Sequence, residues 1–273
     1  MKHILKLTMT ASAAAMLCLG SASVAAAQEA PSTDAMQMKT EKMTENAAFN
    51  AFLTKYVSQK GDLTVVAYGD VTDSDKASLD GYIETLSKSG PPSGSDEAIM
   101  AYWFNLYNAK TISVILDNYP VKSIRDIGGG LFASGPWKDK NLTVAGKSMS
   151  LDDIEHGTVR AKYDEPRVHY AFNCASIGCP NLKTTAWKAD TLESDLTQAA
   201  RDYVNSPRGV RRDSKDRLVV SEIYKWYKED FGGNQSGILN HLNVYADAET
   251  KAALNSAKKI DKFDYNWSLN VKN

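Results

Sequence analysis

The chain has 273 residues, with 32 Lys plus Arg against 33 Asp plus Glu, 43% hydrophobic and 24% charged residues, 17 Gly and 8 Pro. These proportions exclude collagen-like, wholly disordered and disulfide-dense classes. The formal net charge of −1 leaves no basic footprint, so nucleic acid is not an expected partner.

Residues 1–27 join a basic start (Lys2, Lys6) to an apolar run from Leu7 to Val24 and to Ala25-Ala26-Ala27 before Gln28. That is the pattern of a secretory signal peptide with an Ala-x-Ala cleavage site, so an exported, periplasmic or secreted product is expected. A membrane anchor is the competing reading, but the many Ala, Ser and Thr residues make the run weakly apolar for a permanent span. Cys18 lies inside this run and lacks the small preceding residues that lipidation would ask for. Cleavage removes two lysines and no acid, taking the net charge to −3, and no later segment approaches eighteen uninterrupted apolar residues. No stable membrane insertion is therefore expected after cleavage.

Residues 28–45 read as a flexible leader, and residues 46–273 as one α+β domain, mostly helical with a small antiparallel or mixed sheet. Phe49, Phe52, Leu53, Tyr56 and Val57 recur at helical spacing up to Gly61. Leu63 to Tyr68 reads as a short strand, and a helix from about Asp73 carries Leu79, Tyr82, Ile83 and Leu86 on one stripe. Gly90-Pro91-Pro92-Ser93-Gly94 breaks it. The next helix, about Asp96 to Asn118, has acids in its first turn and must end before Tyr119-Pro120. Inside it Asn105 and Asn108 ask for a reason, since Asn is a poor helix former. They either bond neighbouring backbone or orient a substrate.

Ile127 to Gly135 is glycine-rich without being a nucleotide fingerprint. A hairpin over Leu142–Met149 leads to Ser150 and Asp153, whose S-x-x-D spacing predicts a capping box for a helix from Leu151 to about Ala161. Glu155, His156 and Arg160 lie on that helix, the last two sharing a face. Arg167 to Cys174 alternates like a strand, which would put Arg167, His169 and Asn173 on one face and Cys174 on the other. A helix through Leu192, Leu196 and Ala199 to Tyr203 follows, then a hairpin over Arg212–Val220. Ile223 to Tyr227, Asp230-Phe231-Gly232, a helix over Ala246–Ser256 and a tail from Phe263 to Asn270 that can add an edge strand complete the chain.

The chemistry-bearing side chains are Cys174, Cys179, the histidines His156, His169 and His241, and Glu155. A Cys nucleophile needs a base and a group that orients the base, roles open to Cys174, to His169 or His156, and to Glu155. Asn105, Asn108, Arg167 and Asn173 are the expected substrate contacts, with the first two able to serve an oxyanion. This predicts a Cys-dependent hydrolase or acyl transferase acting on a small molecule or peptide. Two alternatives stand beside it: a non-catalytic binding or structural module closed by a Cys174–Cys179 disulfide, and a thiol redox protein. The spacing of His156, His169, Cys174 and Cys179 lacks the close ligand pairs of zinc modules, so no metal or cofactor is expected. Nothing in the pattern speaks to oligomeric state.

Three ordered motifs carry a resemblance: Tyr102-Trp103-Phe104-Asn105-Leu106-Tyr107-Asn108-Ala109, Ser150 through Glu155-His156, and Pro166-Arg167-Val168-His169 through Cys174, Cys179 and Pro180. With Asp230-Phe231-Gly232 and Tyr265 to Asn270, they make the chain similar, over roughly Phe49 to Asn270, to the domain of unknown function 547 family, which usually has Asp in place of Asn266. The resemblance implies an exported bacterial member. Because some eukaryotic members look like fusions to glutaredoxin-like domains, it also implies thiol chemistry as a theme.

Overall fold

A helix with no polar face has to be surrounded, and α3 (Asp96–Asn118) is such a helix: every residue from Met100 to Ala109 is buried. The computed structural model of the protein describes residues 46–128 and 135–272. The expected signal peptide and leader, and residues 129–134 of the glycine-rich stretch, lie outside them. The Ser95 hydroxyl accepts from the Ala98 N–H at 3.3 Å to start α3, and Tyr119, extended before Pro120, ends it.

Against α3 pack α1 (Ala47–Tyr56) and α2 (Asp73–Ser89), bringing Phe49, Phe52, Leu53, Leu79, Ile83 and Leu86 into one apolar cluster with it. The first helix is shorter than its periodicity suggests. Val57–Lys60 leaves it as strand β1 and pairs antiparallel with β2 (Leu63–Val66), because Gly61, at φ +63°, turns the chain back where a side chain would be strained. Beyond α3, β3 (Leu142–Val144) and β4 (Lys147–Met149) form the expected hairpin. It delivers the chain to α4 (Leu151–Ile154), opened by a full capping box in which Ser150 Oγ accepts from the Asp153 N–H and the Asp153 carboxylate accepts from the Ser150 N–H. The helix widens into a π turn (Glu155–Val159) before a last turn, Arg160–Lys162.

The strand expected over Arg167–Cys174 is absent. Pro166–Tyr170 is instead a 3₁₀ turn, because Pro166 holds its fixed φ at the first helical position and the Glu165 carboxylate accepts from the Arg167 N–H at 3.0 Å. His169 and Cys174 are thereby released from the opposite faces that alternation would have given them.

A second apolar cluster collects Tyr170, Tyr203, Val220, Tyr224, Phe231 and Leu242. It is built by α5 (Leu192–Val204), β5 (Val210–Arg212), β6 (Leu218–Ser221), α6 (Ile223–Trp226), α7 (Gln235–Tyr245) and α8 (Ala248–Asn255). The helix α7, capped by Asn234 onto the Gly237 N–H, has no counterpart in the sequence reading, and α8 begins at Ala248 behind Asp247. Strand β7 (Lys262–Asp264) adds parallel to β6, itself antiparallel to β5, and the tail then tucks back, bridging Leu269 to Ser176 and Val271 to Val66. The architecture is α+β, mostly helical, with one mixed three-stranded sheet and two antiparallel hairpins.

What joins α3 to the 167–187 segment is amide chemistry. Asn108 donates to the Ala171 carbonyl and accepts from the Asn173 N–H, both at 2.9 Å, and Asn105 clasps Trp187 in the same two-sided way at 2.9 and 2.8 Å. Asn108→Ala should therefore orphan one buried carbonyl and one buried N–H, at about 1–3 kcal/mol each. A drop of that size in the unfolding free energy from urea titration is the expected outcome, and an unchanged midpoint would show that the clasp contributes nothing.

Candidate functional site

The segment after the 3₁₀ turn is bent sharply. Ala175, a non-glycine residue at φ +56°, reverses the chain directly after Cys174, and Asn173 braces the reversal by accepting from the Ala175 N–H at 2.9 Å and donating to the Pro180 carbonyl at 2.8 Å. The loop so held brings Cys174 and Cys179, with Cα atoms 6.2 Å apart, into a disulfide. Cys179 is buried and Cys174 partly exposed.

The C-terminal tail closes over this loop. A Cβ at Gly178 would lie 2.9 Å from the Asn266 backbone nitrogen and from the Tyr265 ring, so the missing side chain is what lets the tail lie flat there. Tyr265 is thereby seated with its hydroxyl 3.1 Å from both sulfurs and 2.8 Å from Ser176 Oγ.

Beside the disulfide opens a cavity of about 350 Å³. Glu155, His156, His169 and Cys174 all line it, together with aromatic walls that include Trp226, Tyr227 and Trp267. All four expected catalytic side chains are thus brought to one place, from the π turn, the 3₁₀ turn and the strained loop. A π turn inside a helix lays out side chains differently from a regular one, a feature frequent at functional sites.

His169 is almost completely buried and stacks on Tyr227, with ring centroids 4.1 Å apart and planes 15° from parallel. Its Nε2 lies 2.6 Å from Asp230 Oδ2. Since a carboxylate only accepts, Nε2 carries the proton. Its Nδ1 has no hydrogen-bond partner and lies 3.9 Å from Glu155 Oε1. Burial lowers the His169 pKa against the opposing pull of Asp230 and Glu155, so the ring is held neutral. Asp230 is also held by Arg160, whose Nε and Nη2 reach its two oxygens at 2.6 and 3.0 Å. Burial pushes Asp230 upward, but the His169 and Arg160 hydrogen bonds outweigh it and keep the carboxyl below the usual carboxylate range.

His156 is placed differently. Arg160 Nη1 lies 3.0 Å from its Nδ1, and a guanidinium can only donate, so that nitrogen's lone pair is occupied. Glu155 is buried, 4.0 Å from His156 Nδ1. Burial, and after it the Glu155 carboxylate, raises Tyr107 and Tyr227 above the usual phenol range.

The expected substrate contacts lie elsewhere. Asn105, Asn108 and Asn173 have their amides committed to backbone groups, and Arg167 is held between Glu165, Glu193 and Thr197. None of the four lines the cavity. Conversely, the sequence reading assigned no role to Asp230, Tyr227 or Tyr265. Asp230 stood out only as part of Asp230-Phe231-Gly232, and Tyr265 only as part of the aromatic tail.

A mostly helical α+β fold with a disulfide, a buried histidine–aspartate pair and a glutamate around one aromatic cavity defines a class by its site rather than by a known reaction. A family model described as "Protein of unknown function, DUF547" matches residues 92–204, so that segment is similar to the family. It contains Glu155, His156, His169, Cys174 and Cys179, whereas Asp230, Tyr227 and Tyr265 come from beyond it. No curated protein and no solved structure matches the chain.

The buried histidines set a pH dependence. His241, whose Nε2 lies 2.8 Å from the Tyr170 hydroxyl, is pushed by burial down to about 4, and His169 is shifted in the same direction. The folded form keeps both neutral while the unfolded chain binds protons below about pH 6.5, so stability present above that pH is lost as pH falls. Unfolding free energies measured between about pH 6.5 and 4 should decline by a few kcal/mol, and His241→Asn should flatten the slope by roughly one proton. A flat wild-type profile would contradict it.

Proposed function

We propose that the protein carries out thiol chemistry in this cavity, as a Cys174-dependent hydrolase or acyl transferase in the reduced state, with His169 as the base. The carrying observation is the His169 ring: Nε2–H is fixed on Asp230 and the neutral Nδ1 is unpartnered beside the cavity that Cys174 also lines. Taking a proton at Nδ1 would create an imidazolium between Asp230 and Glu155, two carboxylates placed to stabilise it. The occupied Nδ1 of His156 favours His169 over it. Asp230 then takes the orienting role that the sequence reading gave to Glu155.

Residues 1–27 fit an export signal, and an oxidising compartment fits the Cys174–Cys179 pair. Protein recovered from the exporting compartment should begin at Gln28 by intact mass, and retention of Met1 there would sink the export reading.

The acyl reading is tested on reduced protein with p-nitrophenyl acetate, following release of the phenolate and the acetyl adduct by peptide mapping. Acetylation should fall on Cys174, vanish in Cys174→Ser, and slow by about 10²-fold or more in His169→Asn. The pairing of the two cysteines favours one second reading, a binding module whose disulfide is structural. It predicts that reduction lowers the unfolding free energy by about 2–4 kcal/mol and exposes no reactive thiol.

A further inference from the structure

The two sulfurs of the disulfide are not equivalent. Cys179 Sγ is buried and is faced by the Cys174 backbone N–H at 3.0 Å and by two hydroxyls, Tyr265 at 3.1 Å and Ser176 at 3.4 Å, which bond each other at 2.8 Å and so leave one hydroxyl proton for the sulfurs. Cys174 is the partly exposed partner, and its sulfur shares only the two hydroxyls, Tyr265 at 3.1 Å and Ser176 at 3.5 Å. Burial pushes the Tyr265 hydroxyl well above the usual phenol range, so it remains a protonated donor. Thiol–disulfide exchange is governed by which sulfur can be reached and by how well the other carries the departing charge. Here access belongs to Cys174, while the fixed backbone donor belongs to Cys179.

We infer that the cavity takes a low-molecular-mass thiol as a substrate, which opens the disulfide at Cys174 with Cys179 as the built leaving group. A thiolate, its proton lost to solvent, attacks Cys174 Sγ. A bond forms between the substrate sulfur and Cys174 Sγ, the Cys174–Cys179 bond breaks, and its electron pair goes to Cys179 as a thiolate held by the Cys174 backbone N–H and one hydroxyl proton of the Tyr265–Ser176 pair. A second thiolate then attacks the substrate sulfur of the mixed disulfide and releases Cys174. In sum, two thiols are oxidised to their disulfide and the protein disulfide is reduced to a dithiol, with both protons recovered on the cysteines. A small thiol is specified because the partly exposed Cys174 lines a cavity of about 350 Å³ rather than a convex surface. The inference shares the cavity and the Cys174 sulfur with the proposed acyl chemistry but starts from the oxidised pair and needs neither His169 nor an acyl substrate.

The experiment mixes oxidised protein beginning at Gln28 with free cysteine or 2-mercaptoethanol under native conditions, quenches with acid, and maps the mixed disulfide by mass spectrometry. The adduct is expected on Cys174 alone, at a rate that sub-denaturing urea does not raise. Tyr265→Phe should slow opening by about tenfold, because it removes a donor to the leaving thiolate. If Tyr265 merely packs the loop, the same substitution will loosen it and speed opening, which overturns the inference. So does an adduct on Cys179, or on both cysteines in equal amount, or a rate that climbs with urea as opening through local unfolding would. Reduction by a protein dithiol faster than by the small thiols also overturns it. His169→Asn separates the two proposals, since it should slow acyl transfer by about 10²-fold or more and leave thiol opening intact.

Discussion

The arrangement of the site depends on two buried asparagines. Asn105 and Asn108 sit on a helix with no solvent face, and each spends its amide on the main chain of the segment that carries His169 and the disulfide. Irregular backbone inside a protein has to satisfy its N–H and C=O groups without a ladder. These side chains do what a neighbouring strand would have done, and so allow a strained, non-repetitive segment to be held at the centre of the molecule. Asn173 extends the scheme by one step, from the helix to the loop between the cysteines. Such side chains hold the segment in position through its main chain.

On this frame the polar groups form a short hydrogen-bonded chain. Arg160 holds Asp230 with two hydrogen bonds, Asp230 holds His169, and Glu155 lies near the free nitrogen of that ring. Low local polarity strengthens each of these interactions and makes an unpartnered polar atom costly. Keeping His169 Nδ1 unpaired in a buried place is therefore a departure from ordinary core chemistry, and Arg160 offsets the charge that two nearby carboxylates would otherwise accumulate. The aromatic rings of Tyr227 and Phe231 pack against the imidazole and fix its plane.

The two cysteines line the same cavity, under a tail that approaches the loop closely only because residue 178 is glycine. Tyr265, delivered by that tail, contacts both sulfurs. The cavity thus draws Glu155, His156 and His169 from the matched segment, the Asp230 that holds His169 from beyond it, and its sulfur-facing hydroxyls from Ser176 and the C-terminal tail.

Much of this was legible in local sequence. The buried helix over Asp96–Asn118, the capping box at Ser150 and Asp153, the Leu142–Met149 hairpin and the returning tail all follow from periodicity, caps and turns, which act over a few residues. Cysteine spacing likewise admitted the disulfide. Local pattern failed where two signals competed: alternation over Arg167–Cys174 imitates a strand, while Pro166 and the Glu165 cap impose a 3₁₀ turn. It was silent on the α7 helix, whose only buried residues are Ile238 and Leu242, too few to mark a stripe. The residue types able to do chemistry were set by the sequence alone, and so was their grouping into three motifs. Which histidine has a free nitrogen, that Asp230 lies 61 residues along the chain from the ring it holds, and which cysteine is shielded were decided only by tertiary structure, because hydrogen-bond partners and burial come from contacts between distant segments that no short-range pattern encodes.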